Sequence, residues 1–206
     1  MHHAHDKDVN DLNNFIDELP KNLAGKTAWY IHEETWKQLK FINDYDLHEN
    51  QQFLAWLAMH LRPCLMSEDT ELFHEKDQVR EIFFLMNGNC FFQLSMKMPS
   101  SETWWDQVKY AFRYIQIEKG LYFGVIDIIG SIMKMFLDDP DGDYFEKWYD
   151  EVERLFHQFN VTTGPQTTDL LSLSIHTLWK MRTEFFEEYQ MMFNIDRMRG
   201  LLHRCH

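Results

Sequence analysis

The sequence predicts an α+β fold with segregated elements: helices first, a β-rich block after Pro63, then closing helices. Three observations predict it. Apolar residues recur at helical spacing up to about Leu61. From Cys64 to Leu94, short apolar runs alternate with the turn-like clusters SED, EKD and NGN. After Gly130 the spacing turns helical again.

The elements follow in order. Val9, Leu12, Phe15, Ile16 and Leu19 mark a first helix, broken at Leu19-Pro20, with Pro20 suited to the first turn of the next. A longer helix is expected from about Leu23 to Phe41 and a third from Leu47 to Leu61, with Asp46 as its N-cap. The β block should form consecutive antiparallel strands joined by tight turns, most clearly REIFFLMNGNCFFQL about Asn87-Gly88-Asn89. MPSSETWWDQVKY reads as a loop or a short helix capped by Ser100 or Ser101. FRYIQIE is a further strand before Lys119-Gly120.

The run YFGVIDIIG, Tyr122–Gly130, is the most apolar stretch of the chain. A spanning helix needs about 20 mostly apolar residues, and Asp127, Lys134 and two glycines interrupt the span from Leu121 to Leu137. The β-branched VIDII therefore predicts a buried strand and no membrane segment. In DYFEKWYDEVERLFHQF, Phe145, Trp148, Tyr149, Val152, Leu155 and Phe156 form an apolar stripe with acids opposite. TTGPQTTDLLSLS has strand character, and Leu178, Met181, Phe185, Tyr189 and Met192 predict one last amphipathic helix.

Composition narrows the function classes. Apolar residues make up 45% of the 206 residues and aromatics 16%, enough for a real core. A formal charge of −13 argues against nucleic acid and anionic membrane surfaces, since phosphate attraction needs a basic face. Cys64, Cys90 and Cys205 are too few and too scattered for a disulfide framework or a zinc pattern, so a reducing, cytoplasmic setting is expected. The opening MHHAHDKDVNDL lacks the apolar core of a secretory signal.

Four stretches then resemble the cytoplasmic regulatory region of cyclic-nucleotide-gated and related voltage-gated potassium channels, above all the ciliate branch of that family. LPKNLAGKTAWYIHEETWKQLKFI resembles the linker helix before the binding domain. LRPCLMSEDTELFHEKDQVREIFFLMNG resembles the first hairpins of the β-roll, where the family has proline-glycine-aspartate at Ser67-Glu68-Asp69 and glutamate-glycine-aspartate at Glu75-Lys76-Asp77. IQIEKGLYFGVIDIIG resembles the entry to the phosphate-binding cassette, and LLSLSIHTLWKMRTEFFEEYQMMF the last strand and first closing helix. The resemblance runs from about residue 10 to 200. It implies linker-like helices over 8–60 and an antiparallel β-roll of the cyclic-nucleotide-binding jelly-roll type over 61–206. An acidic helix is inserted at about 138–158, and helices close the roll behind.

The resemblance also implies a site. In the family the cassette reads phenylalanine-glycine-glutamate, the glutamate takes the ribose hydroxyl, and an arginine pairs with the cyclic phosphate. Here Phe123 and Gly124 match, Val125 stands at the glutamate position, and Ile126 follows. Counting back from Leu173-Ser174 puts the arginine position at Gln158, or at His157 with one residue inserted. Each missing charge-assisted bond is worth about 1.5–3 kcal/mol, so two cost on the order of 10²–10⁴ in affinity. The expectation is a vestigial pocket at Phe123, Gly124, Val125, Ile126, His157 and Gln158, with no cofactor. A cAMP or cGMP sensor with a rebuilt pocket is the alternative.

Other candidates are weaker in chemistry. Asp139, Asp141, Asp143 and Asp150 fit positions one, three, five and twelve of a calcium loop, but Tyr144 holds the position that needs glycine. An acidic helix cap explains them equally well. His2, His3, His5, His203 and His206 near Cys205 read as solvated terminal groups. Trp104, Trp105, Trp148 and Trp179 read as core or interface residues. No nucleophile elbow, phosphate loop or Asp/His constellation predicts an enzyme. The expected partner is a protein or a parent channel assembly, joined through the front helices or, as a scaffold, through the apolar face of Tyr144–Phe159. Such a protein would sit in the cytoplasm or at the cytoplasmic face of a membrane.

Overall fold

The computed structural model describes residues 19–97, 109–129 and 155–193. The chain divides into two compact units, Met1–Arg62 and Pro63–His206.

In the first unit, α1 (Lys21–Gln38) starts just after Pro20, whose φ of −53° suits the entry to a helix. The single helix expected to Phe41 is instead broken at the extended residue Leu39, and α2 (Lys40–Asp44) follows. Trp36, Leu39, Phe41 and Ile42 are all buried. On one continuous helix Leu39 and Phe41 would lie about 200° apart, so only a break turns both inward. Phe41 then packs edge-on against Phe53, with ring centres 6.3 Å apart. Asp46 caps nothing. It takes a left-handed turn (φ 52°) into a single 3₁₀ turn, Leu47–Glu49. The cap of α3 (Gln51–His60) is Asn50, whose Oδ1 accepts the Phe53 amide at 3.1 Å. α3 packs on α1 through a face that buries Phe53, Leu54 and Leu57.

The second unit is a roll of two four-stranded sheets. Its strands are β1 (Arg62–Met66), β2 (Glu71–Phe73), β3 (Glu81–Asn87), β4 (Cys90–Lys97), β5 (Lys109–Ile117), β6 (Tyr122–Phe123), β7 (Asn160–Thr163) and β8 (Thr168–Ser174). One sheet runs β1-β8-β3-β6 and the other β2-β7-β4-β5. The pairs β2–β7, β3–β6, β3–β8, β4–β5 and β4–β7 are antiparallel. Both sheets turn one face inward. Phe83, Leu85, Phe123 and Leu170 come from the first, and Phe73, Cys90, Ile117 and Val161 from the second. Burial raises the Cys90 thiol to about 12, which leaves it inert.

Consecutive strands do not simply form hairpins, as the turn clusters suggested. β3 and β4 lie in different sheets, and Asn87-Gly88-Asn89 is a corner between them. β3 is apolar from Ile82 to Met86 because its other face is buried too. Ile82 and Phe84 are fully covered there, and the Tyr122 hydroxyl on β6 donates to the Met192 carbonyl at 2.5 Å. Met192 belongs to α5 (Phe186–Phe193), which follows α4 (Ile175–Glu184). The one closing helix expected is thus two, broken at Phe185 (φ −136°, ψ 63°), though Leu178, Met181, Tyr189 and Met192 are all buried as the stripe requires.

Two further expectations are corrected. VIDII is not a strand. β6 pairs for two residues only, Gly124 turns at φ +87°, and residues 126–129 are helical. Val125 and Ile128 face inward while Ile126 is 46% exposed, a helical rather than alternating pattern. The acidic helix does not run to Phe159 either. Residues 155–159 are not helical, with Phe156 bridged to Gln78, the Val79 amide bonded to the Leu155 carbonyl at 2.9 Å, and a bend at 158–159. The remainder of that helix, the first helix, MPSSETWWDQVKY as far as Val108 and both chain ends lie outside the described residues.

Lys76, where the resemblance implies glycine, has a φ of +76°. A side chain pays roughly 1–2 kcal/mol in that region, against about 0.5–1 kcal/mol of extra chain entropy for glycine. Lys76→Gly should therefore stabilise the roll by about 0.5–1 kcal/mol, read as a higher urea midpoint.

Candidate functional site

β2, the loop after it, the turn after β6 and the segment before β7 converge at one end of the roll. Phe123 belongs to the core, its ring 5.6 Å from that of Phe83. Gly124 is needed for its backbone. At φ +87° a Cβ would also come 3.2 Å from the Glu81 carbonyl oxygen. Val125 is buried and apolar, and Ile126 projects outward.

His157 and Gln158, the two positions reached by counting, meet a residue outside the expected set. Asp127 lies in the first turn of the helical residues 126–129, and its carboxylate is 94% buried. His157 Nδ1 is 3.0 Å from Asp127 Oδ2, and the Gln158 amide donates to Asp127 Oδ1 at 3.0 Å. An ionised carboxylate only accepts, so Nδ1 carries the proton. The imidazole is 97% buried and stacks on Phe73 with centres 3.7 Å apart. Its backbone is fixed as well. His157 N donates to the Asp77 carbonyl at 2.8 Å, and its own carbonyl accepts the Lys76 amide at 2.7 Å. The signal for Asp127 was present in the sequence as one acid among isoleucines, but its partners lie 30 and 31 residues away.

Beside the couple is a cleft of about 400 Å³. Phe73, Phe83 and His157 supply its aromatic lining, and Asp77, Arg80 and Glu81 supply its charge, two carboxylates against one guanidinium. Of the six expected site residues, His157 alone lines it among the described residues. Phe123, Gly124, Val125 and Ile126 do not join it. Gln158 turns outward, its side-chain amide donating to the Phe156 carbonyl at 3.3 Å.

Asp139, Asp141, Asp143 and Asp150 lie outside the described residues, as do Trp104, Trp105, Trp148 and the terminal histidines. Trp179 on α4 is half-buried beneath the Arg182 guanidinium, 4.5 Å from the ring centre. Among the described residues no group of three or more His, Cys, Asp or Glu is placed to hold a metal ion, and no helix is long and apolar enough to cross a membrane.

No family model matches the chain, and no curated protein matches it in sequence. Solved structures do match it. The regulatory domain of Toxoplasma gondii PKA, crystallised with cAMP, aligns over 85% of this chain and 51% of its own, with a TM-score of 0.52 and 8% identity. A cyclic nucleotide-binding domain from Methylobacillus flagellatus KT aligns over 84% of this chain and 80% of its own, with a TM-score of 0.51 and 12% identity. The chain thus spans about half the length of the Toxoplasma protein it matches. The fold is the α+β jelly roll of cyclic nucleotide-binding domains, as expected, and at these identities the likeness is one of fold.

Proposed function

We propose that this chain is a non-catalytic regulatory domain of the cyclic nucleotide-binding type in which nucleotide binding has been lost. One observation carries the reading: the acid and the imidazole nearest the old anchoring positions satisfy each other. Asp127 accepts from His157 Nδ1 and from the Gln158 amide, and with its side chain only 6% exposed it offers a sugar hydroxyl little access. Nδ1 is committed to Asp127, and the ring lies flat on Phe73. The adjoining cleft has more carboxylates than guanidinium groups, which repels an anion.

The domain is related, in this reading, to the cytoplasmic regions of potassium channels and works in the cytoplasm through a protein partner or a parent assembly. Titration with a fluorescent cAMP or cGMP analogue tests the core of the proposal. No saturation is expected up to high micromolar ligand, because two lost anchors cost on the order of 10²–10⁴ in affinity. Saturable binding at low micromolar concentration, displaced by the unlabelled nucleotide, would overturn it. The second reading, a sensor with a rebuilt pocket, has Arg80 in its favour, since that guanidinium lines the cleft beside His157. It requires the saturable curve, and requires Arg80→Ala to abolish it.

A further inference from the structure

His74 and its neighbours stand outside the couple, yet share a backbone with it. The residue follows β2 and opens a tight turn in which the Asp77 amide donates to the His74 carbonyl at 3.1 Å. Its ring lies between two acids. Nε2 is 2.5 Å from Glu71 Oε2, and Nδ1 is 3.3 Å from Asp77 Oδ2. The same Asp77 oxygen accepts the His74 amide at 2.8 Å. Ionised carboxylates only accept, so both ring nitrogens must donate, and only the imidazolium has two N–H groups. The geometry therefore specifies a cation.

The turn so braced is the one that holds His157, through the Lys76 amide and the Asp77 carbonyl. It is also bolted to β7, because the Glu75 amide donates to Asn160 Oδ1 at 2.6 Å. We propose that the Glu71–His74–Asp77 bridge is a proton-operated clamp on this turn, so that the seating of His157 follows pH. The clamp holds whether or not a nucleotide binds.

Among the described residues, the following charged and titratable groups stand around it. Glu71 faces it from β2, and Glu75, Lys76 and Asp77 from the turn. Lys76 is drawn to Glu75 at 3.8 Å, and His157 acts on Asp77 from the crossing segment. Arg80 and Glu81 stand with Asp77 along the cleft. Glu71 and Asp77 hold His74 above its ordinary value of 6.5, chiefly through the hydrogen bond to Glu71 and against the desolvation that lowers it. The Asp77 carboxyl is held below its usual range, chiefly by the His74 backbone amide.

The sign follows from linkage. A folded-state value above the unfolded one stabilises the fold fully below the ordinary histidine range, and the contribution fades as pH rises through the folded value. Once the proton leaves, one ring nitrogen presents a lone pair to a carboxylate, and the bridge opens on that side. Because the three side chains are about half exposed, the effect on global stability is small. The local consequence is at the turn.

Amide and imidazole signals of the full chain, followed by NMR from about pH 5.5 to 8.5, test the clamp. In the wild type the Lys76 and His157 amides should move with the same midpoint as the His74 ring. In Glu71→Gln all three midpoints should fall together. In His74→Gln the step at both amides should vanish. Amides that stay flat while the His74 ring titrates, or a step that persists in His74→Gln, would overturn the proposal. Neither replaced residue is buried, so both variants keep the fold.

Discussion

Asp127→Ala lowers the stability of the roll by about 3–5 kcal/mol, the range for removing one partner of a buried pair. With a slope of about 2 kcal/mol per molar urea, that moves the unfolding midpoint down by roughly 1.5–2.5 M. The size comes from what is left behind. The His157 ring loses its acceptor where water scarcely reaches, because the Asp127 and His157 side chains are 6% and 3% exposed, and the Gln158 amide loses its acceptor as well. An unpaired buried donor costs about 1–3 kcal/mol on its own. Asp127→Asn keeps the shape and one good acceptor but turns an NH₂ group toward the other donor, so its loss should fall between alanine and wild type. The order alanine, asparagine, wild type identifies a hydrogen-bonding role. An alanine variant within 0.3 M urea of the wild type would show that the couple holds nothing together.

The couple also illustrates where sequence reasoning ends. The order of elements was legible because each rests on local spacing: Leu178, Met181, Tyr189 and Met192 are buried as their periodicity requires. Phe123-Gly124 was placed by the resemblance, but the run around it was read as a strand, and the turn Gly124 makes at φ +87° was missed. Sheet membership was not legible. Asn87-Gly88-Asn89 has the composition of a hairpin turn, and only the pairing of β3 with β8 and of β4 with β7 shows it joining two sheets. VIDII has strand propensity, but burial of Val125 and Ile128 on one side favours a helix over a third pairing with β3. His157 and Gln158 were reached by counting along the chain, whereas Asp127 needed a contact across 30 residues, which no spacing rule supplies.

That corner carries the second large effect. Gly88→Ala should cost about 2–4 kcal/mol, a urea midpoint roughly 1–2 M lower. At φ +85° an alanine pays about 1–2 kcal/mol for the left-handed backbone alone. Its Cβ would also stand 2.8 Å from the Thr168 Cα and 2.6 Å from Thr168 Oγ1. Neither neighbour yields cheaply. Thr168 opens β8, is fully buried, and its hydroxyl is 3.2 Å from the Gln166 carbonyl. Gly164→Ala is the control, since it has no positive φ and its closest contact would be the Asn89 Cβ at 3.1 Å, a side chain able to give by a few tenths of an ångström. It should lose less than half as much. Equal losses at the two sites would mean that the inter-sheet corner tolerates a side chain as well as an ordinary loop does. The two sheets would then owe their mutual placement to the shared core of Phe83, Leu85, Cys90 and Val161 rather than to the turn that joins them.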